Sequence, residues 1–303
     1  MKMEEYMKAI SLRKHVKKQP LVTLNDTDTV GNALSLFKRK GITSAPIKNT
    51  SRKSSEEVLL GLVGVADIVY YVLSLVPKLD SITPEELKKM FITSELIEET
   101  SVYNIIDKSR LNPLVELYET DTALQLFLSV LKKGVHRIVL VNGDNVAMQT
   151  MSRSDIIKLV AEGIKKGELD KIGEVQVGDM IKRNDNIVSV KDTDNILACL
   201  TNIKASGHKS IPVVNDQNQL VGNFSCSDIH RVNQDLFIEF HTQVSKFSTN
   251  KPISLKMTDT LETVVSTMVQ PDRSVHCIWV VDDEDHVIGS VSMTDVLRYL
   301  SKL

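Results

Sequence analysis

A motif that occurs four times constrains this chain more than any other feature of the sequence. A Thr-Asp-Thr or Thr-Asp-Asn tripeptide stands at residues 27–29, 120–122, 193–195 and 258–260. Each tripeptide is followed by apolar residues at the spacing of a helix face, then by a short β-rich run, a polar turn and a second apolar stretch. Because self-similarity of this kind marks a repeat protein, the sequence predicts four copies of one small α/β module: a leading strand, a helix, a hairpin and a second helix.

The start of the second helix carries a further shared pattern, which is a glycine, a Ser or Thr three residues later and an Asp three beyond. In chain order the four copies read Gly61-Gly64-Asp67, Gln149-Ser152-Asp155, Gly222-Ser225-Asp228 and Gly289-Ser292-Asp295. The first copy therefore lacks the hydroxyl and the second copy lacks the glycine. The two motifs occur in the same order and at nearly the same separation in all four copies, which supports a true repeat.

This second pattern has a binding interpretation and a purely structural one. An aspartate one turn into a helix can accept both hydroxyls of a ribose, and the helix N-terminus beside it favours phosphate. A glycine lets the backbone approach a planar base or sugar. Ser/Thr-x-x-Asp is also a plain capping box, however. On the binding interpretation, the expected ligand contacts at the helix starts are Asp67, Ser152, Asp155, Ser225, Ser227, Asp228, Ser292, Thr294 and Asp295.

These motifs resemble those of the cystathionine β-synthase (CBS) domain family over roughly residues 20 to 303. Four copies in one chain resemble the gamma subunit of AMP-activated protein kinase and its yeast and plant relatives. The resemblance implies an α/β fold in which four repeats pair into two modules and close a disc-like, pseudo-symmetric assembly. It also implies that phosphates near the centre meet His136, Arg137, His276 and Lys209. At His276 the neighbouring arginine of the family is replaced by Cys277.

The repeats and their linkers predict six segments. They are a helical N-terminal segment (1–19), repeat 1 (20–77), a helical insert (78–112), repeat 2 (113–165), repeat 3 (174–235) and repeat 4 (248–303). The apolar stretch from Leu59 to Val76 carries Asp67 near its centre, which favours a buried strand running into a buried helix over a membrane span.

Composition excludes several function classes. A net charge of -2 gives no reason to expect a nucleic-acid or membrane partner. The three cysteines form no CxxC pair and the seven histidines form no i,i+4 pair, so no metal site is expected. P-loop, GxSxG and GxGxxG motifs are absent, and we expect no catalytic residue. With no signal peptide in the sequence, we expect a cytoplasmic or nuclear protein.

Together with this resemblance, the sequence predicts a non-catalytic regulatory protein that binds AMP, ADP or ATP and needs no cofactor. The resemblance to the gamma subunit implies a protein kinase catalytic or scaffold subunit as partner, with the segment from Met3 to Lys18 as its candidate contact. The alternative is an adaptor whose repeats no longer need a nucleotide. The changes in copy one and at Cys277 favour that alternative modestly.

Overall fold

The structure is a computed structural model, and it describes residues 2–17, 19–50, 58–75, 98–207, 209–226, 228, 238–247, 252–270 and 275–303. Most of the predicted helical insert, residues 78–97, lies outside these ranges. Its described end includes a short 3-10 helix at Val102–Ile105.

The described helices follow the predicted order. Repeats 1, 2 and 4 each have two, repeat 3 has its first, and shorter helices lie between them; the predicted second helix of repeat 3 falls mostly outside the described residues. The described helices are Met3–Ala9 (α1), Val30–Lys40 (α2), Val65–Leu75 (α3), Ala123–Lys133 (α4), Arg153–Lys165 (α5), Asp170–Gly173 (α6), Val177–Met180 (α7), Ile196–Ser206 (α8), Leu261–Met268 (α9) and Met293–Leu300 (α10).

Each repeat forms its own three-stranded sheet, in which a short parallel leading strand lies beside an antiparallel hairpin. The strands are Leu24–Asn25 (β1), Ser44–Lys48 (β2), Leu59–Gly64 (β3), Glu116–Tyr118 (β4), Arg137–Val141 (β5), Ala147–Ser152 (β6), Val190–Lys191 (β7), Ser210–Val214 (β8), Leu220–Ser225 (β9), Ser254–Leu255 (β10), Cys277–Val281 (β11) and Val287–Ser292 (β12).

The tripeptide motif has a local structural cause that is the same in all four repeats. Its third residue is the N-cap of the first helix, and in repeat 1 the Thr29 side chain accepts the Asn32 N–H. The aspartate of the tripeptide instead accepts a backbone N–H at the end of the leading strand. In repeat 1, for example, Asp28 accepts the Asn25 N–H at 2.8 Å. In repeats 1 to 3 the same helix ends at a glycine of positive φ, namely Gly41, Gly134 and Gly207.

Within each pair of repeats, the segment ahead of one repeat docks on the other. Ser11 bridges to Thr122 of repeat 2, and Ser101 bridges back to Thr29 of repeat 1. The second pair repeats this exchange through the bridges Gln176–Thr260 and Asn195–Gln243. Each repeat therefore needs its partner to complete the cap of its first helix, which fixes the pairs as 1 with 2 and 3 with 4.

The sheets of a pair also face each other, while the helices join the two pairs. Leu62 of repeat 1 packs against Val139 and Val141 of repeat 2, and Trp279 of repeat 4 donates to Asn223 of repeat 3 at 2.9 Å. One apolar core runs from the N-terminal segment through repeats 2 and 4, and a second joins repeats 1 and 3. The predicted fold class, four repeats in two paired modules, is confirmed.

The apolar stretch that begins at Leu59 forms β3 and α3, as predicted. None of the described helices is long and apolar enough to cross a membrane. The N-terminal segment packs α1 on repeat 2, burying Met3, Tyr6 and Met7, and the Tyr6 hydroxyl donates to the Leu159 carbonyl at 2.8 Å.

Candidate functional site

Three of the four repeats hold their motif aspartate in one geometry. Oδ2 of Asp155, Asp228 or Asp295 accepts both the N–H and the hydroxyl of the serine three residues earlier. The N–H bonds measure 2.8, 2.8 and 2.9 Å, and the hydroxyl bonds 2.8, 2.7 and 2.5 Å. The cap uses one oxygen, and all three carboxylates are only partly buried. Asp155 and Asp295 lie in the first turn of α5 and α10. Ser227 lies outside the described residues.

The register of the hairpins brings four equivalent positions to these helix starts. Opposite Gly64, Ser152, Ser225 and Ser292 lie Ser44, Arg137, Ser210 and Cys277. The carbonyl of the residue before each of these accepts a hydrogen bond of 3.0 to 3.4 Å from the N–H that follows the hairpin, which belongs to Val65, Arg153, Cys226 or Met293. The four accepting residues are Thr43, His136, Lys209 and His276.

Side chains from these positions meet across repeats. Lys209 Nζ of repeat 3 lies 2.9 Å from His136 Nδ1 of repeat 2, and Arg137 Nη2 donates to Thr43 Oγ1 of repeat 1 at 2.5 Å. His276 of repeat 4 adds to the same positive environment, since its pKa responds to both Lys209 and Arg137. The structure therefore brings together His136, Arg137, Lys209 and His276, while their contact with phosphate remains a prediction.

One member of this group was missed by the sequence reasoning. Arg153 follows Ser152 at the start of α5, and its charge acts on His136 and Lys209. Its guanidinium donates to the carbonyls of Gly134 and Val135 and, at 2.6 Å, to Thr294 Oγ1 of repeat 4. The sequence signal for Arg153 was its position directly after the motif serine, Ser152. Thr294, a predicted ligand contact, here receives a protein donor.

We call His136, Arg137, Arg153, Lys209 and His276 the central basic cluster. Burial, reinforced first by Lys209, lowers the pKa of His136 to about 2, so this ring is neutral and can accept from Lys209. Burial and the nearby arginines lower the pKa of Lys209 to about 7. Burial likewise lowers the pKa of Arg137, and lowers that of Arg153 to about 10.

His276 follows the same trend. Although its side chain keeps solvent contact, desolvation by the surrounding protein and the charge of Lys209 lower its pKa to about 4. Every shift in the central basic cluster is in the direction that disfavours positive charge. A bound anion would reverse that balance, so the cluster is suited chemically to phosphate.

Repeat 1 differs from the other three. Asp67 is fully buried, and Oδ1 accepts the N–H and hydroxyl of Ser109 at 2.9 and 2.6 Å. Oδ2 accepts the Gly64 N–H at 2.8 Å and lies 3.4 Å from the Asn112 amide nitrogen. Burial raises the pKa of Asp67, with the hydrogen bonds from Ser109 opposing that shift. Here the carboxylate predicted to contact a ligand is satisfied by the protein itself.

The motif glycines also have a role that the sequence reasoning did not anticipate. A β-carbon added at Gly61 would lie 2.4 Å from Ile106 Cγ2, and one at Gly289 would lie 2.8 Å from Ile181 Cδ1. Each isoleucine belongs to the segment exchanged within the pair. In both repeats the glycine makes room for that side chain.

The fold is thus four α/β repeats in two pairs, with the central basic cluster formed by side chains of repeats 2, 3 and 4. Among the described residues, no group of three or more His, Cys, Asp or Glu side chains could hold a metal ion.

The CBS domain family matches residues 14–74, 177–235 and 244–302, more than half of the chain, and the chain therefore belongs to this family. Repeat 2 is not matched, although its strand order, register and capping are those of the others.

Two kinds of relative resemble the chain in sequence. The gamma subunit of 5'-AMP-activated protein kinase from Saccharomyces cerevisiae is 21% identical over 291 residues, covering 92% of this chain and 86% of that protein. Protein SDS23 from Kluyveromyces lactis is 21% identical over 74% of this chain. The chain spans only 44% of the length of that protein.

Solved structures support the fold. Protein MJ1225 from Methanocaldococcus jannaschii, which has been suggested to be an archaeal homologue of gamma-AMPK, matches with a TM-score of 0.72. It is 18% identical, and the match covers 96% of this chain and 99% of that one. An uncharacterized conserved protein from Pyrococcus horikoshii matches with a TM-score of 0.56 at 18% identity, over 96% of this chain and 100% of that one.

Proposed function

We propose that the chain is a regulatory adenine-nucleotide sensor with no catalytic activity of its own. It binds AMP, ADP or ATP with the ribose at the motif aspartates and the phosphates toward the central basic cluster. The observation that carries the proposal is the convergence of five basic side chains, from repeats 2, 3 and 4, beside helix starts that each present a carboxylate.

The two parts of the site suit the two parts of a nucleotide. A carboxylate at the start of a helix accepts ribose hydroxyls, and helix N-termini together with arginine or lysine neutralise phosphate. The pKa values of the cluster are lowered first by burial and, at His136, Lys209 and His276, also by neighbouring cations. A phosphate bound there would offset both effects, and a nucleotide that binds one arrangement of the repeats better than another would shift the chain toward that arrangement.

The proposed partner is a protein kinase catalytic or scaffold subunit, a proposal motivated by the likeness to the yeast gamma subunit. Within the N-terminal segment, Met3, Tyr6 and Met7 are already used by repeat 2, so a partner would contact the exposed Glu4, Glu5 or Lys8. A cytoplasmic or nuclear location accompanies this proposal. Affinity purification of the full chain from its native cell tests the partner, and imaging of the tagged chain tests the location.

The nucleotide proposal is tested by thermal unfolding with AMP, ADP, ATP and S-adenosylmethionine. A ligand at one hundred times its Kd stabilises a folded protein by about 2.7 kcal/mol, so the midpoint should rise with AMP, ADP or ATP. Asp295→Asn should reduce that rise. Glu4→Gln, a surface change far from the cluster, is the matched control. Nucleotide-free protein that responds to none of the three would instead support the adaptor function.

A further inference from the structure

Residues 107–112, the segment that leads from the 3-10 helix at Val102–Ile105 into repeat 2, lie on Asp67 of repeat 1. Within this segment, Ser109 and Asn112 are buried. The N–H and the hydroxyl of Ser109 both donate to one oxygen of the Asp67 carboxylate, Oδ1. Two donors on one carboxylate are what the two hydroxyls of a ribose would supply.

A sequence departure in repeat 1 matches this arrangement. The other repeats place a serine hydroxyl on Oδ2 of the motif aspartate, whereas repeat 1 has Gly64 there. In repeat 1 the Asn112 amide approaches Oδ2 in place of that hydroxyl. A β-carbon at Gly64 would lie 3.1 Å from Ser44 Cβ and 3.6 Å from the Asn112 amide nitrogen. Repeat 1 thus lacks the serine hydroxyl at position 64, and the Asn112 amide takes its place beside Oδ2 of Asp67.

The segment is held in a turn that costs backbone energy. Asp107 and Arg110 have φ values of 46° and 57°, in the left-handed region that residues other than glycine rarely adopt. The turn is closed by the Arg110 N–H on the Asp107 carbonyl at 2.8 Å and by the Asn112 N–H on Asp107 Oδ1 at 2.7 Å. Ile106, seated against Gly61, anchors its start.

The segment that docks on repeat 4, which lies ahead of repeat 3, runs differently. After Ile181, which sits on Gly289 as Ile106 sits on Gly61, the Asn184 N–H bonds the Ile288 carbonyl at 2.8 Å. Asp295 stays partly exposed, whereas Asp67 is fully buried. The same position in the fold is thus closed in repeat 1 and accessible in repeat 4.

We propose that residues 107–112 act as an internal occupant of the repeat 1 cleft, and that Ser109 and Asn112 are the residues that exclude a nucleotide from it. This inference rests on the proposed function for repeats 2 to 4. It limits the chain to three nucleotide sites and makes the fourth a latent site that two side chains control.

The test is a count of bound AMP by equilibrium dialysis at saturating radiolabelled AMP, using the full chain. Wild type should bind at most three AMP per chain. Ser109→Ala/Asn112→Ala should bind one more, and adding Asp67→Asn to that variant should remove the extra AMP. An unchanged count in the double variant, or an extra AMP that survives Asp67→Asn, overturns the inference.

A second measurement covers the case in which the double variant does not fold. In the wild-type background, at an AMP concentration close to the wild-type Kd, Asp67→Asn should leave the amount of bound AMP unchanged, whereas Asp295→Asn should lower it. A fall in bound AMP on Asp67→Asn contradicts the inference. If wild type binds no AMP but the double variant binds one that depends on Asp67, the inference stands and the proposed function fails. If neither binds, both fail.

Discussion

Repeats 1 and 4 share a backbone and differ in what meets their motif aspartate. In both repeats, Oδ2 of the aspartate accepts a hydrogen bond from the N–H of the residue three positions earlier, at 2.8 Å for Asp67 and 2.9 Å for Asp295. In repeat 4 the second donor to that oxygen is Ser292 of the same motif. In repeat 1 the further donors come from Ser109 and Asn112, more than forty residues away in sequence.

The difference shows that the motif defines the position of a carboxylate but not its use. A buried carboxylate with all its donors supplied by the protein contributes to stability, because losing it leaves those donors unpaired in a desolvated place. A carboxylate that only caps a helix contributes little to stability and keeps bonding capacity for a ligand. The two aspartates should therefore respond in opposite ways in stability and in binding experiments.

Removing the carboxylate of repeat 1 should have the largest effect on stability. Asp67→Ala leaves the donors of Gly64, Ser109 and Asn112 without their acceptor, and we expect a loss of about 3 kcal/mol in the free energy of unfolding. Chemical denaturation measures this loss. The matched change Asp295→Ala should cost about 1 kcal/mol, the scale of a helix cap. Equal losses would mean that Ser109 and Asn112 do not seal Asp67 in solution.

The binding experiment should reverse that order. Asp295→Asn keeps the size of the side chain but removes the charge that would accept ribose hydroxyls, and we expect nucleotide affinity at repeat 4 to fall about tenfold or more. Isothermal titration with AMP measures it. Asp67→Asn is the control, and no change in affinity is expected. An Asp67 variant that weakens AMP binding as strongly as the Asp295 variant would remove the distinction between the two clefts.

Local sequence was sufficient to predict the fold and insufficient to separate these two clefts. The tripeptides and the glycine-serine-aspartate pattern predict strand, helix and hairpin because caps and turns depend on neighbouring residues, as Thr29 on Asn32 illustrates. The resemblance to CBS proteins, rather than any periodicity, predicted the pairing of the repeats and named His136 and Lys209 as phosphate contacts, which remains a prediction. Ser109 on Asp67 and Arg153 on Thr294 are long-range contacts between segments that share no motif.

The central basic cluster should make binding at the accessible clefts depend on pH. Without ligand, burial and the nearby arginines hold the pKa of Lys209 at about 7, and phosphate should raise it by stabilising the ammonium. Binding then takes up a proton above pH 7, so affinity should fall as pH rises, by at most about tenfold per unit. Titration with AMP from pH 7 to 9 measures this slope. Lys209→Arg keeps the charge throughout, and a slope that persists in this variant would exclude Lys209 as its source.

The same group makes a signed prediction for the ligand-free protein. Unfolded Lys209 titrates near its ordinary pKa of 10.5, so between pH 7 and 10.5 the unfolded chain binds more protons than the folded protein. Stability should therefore rise with pH across this window through Lys209. Lys209→Met should flatten that part of the curve, as followed by denaturation midpoints. His136 and His276, with pKa values of about 2 and 4, act only at lower pH.

The smallest effect concerns the glycines that precede the two aspartates. Gly61→Ala brings a β-carbon to 2.4 Å from Ile106 Cγ2, a branch atom on the segment that closes repeat 1. Gly289→Ala meets only the terminal Cδ1 of Ile181, at 2.8 Å, which can rotate away. We expect losses in unfolding free energy of about 1 kcal/mol and a few tenths of a kcal/mol, respectively.

A double-mutant cycle with Ile106→Ala isolates the contact behind the larger loss. In that background Gly61→Ala should become nearly neutral, because the crowded atom is gone. The corresponding cycle of Gly289→Ala with Ile181→Ala should show little coupling. If instead both glycines couple equally to their isoleucines, the segment ahead of repeat 2 is no more tightly seated than the segment ahead of repeat 3. The closure of repeat 1 would then depend on the hydrogen bonds to Asp67 alone.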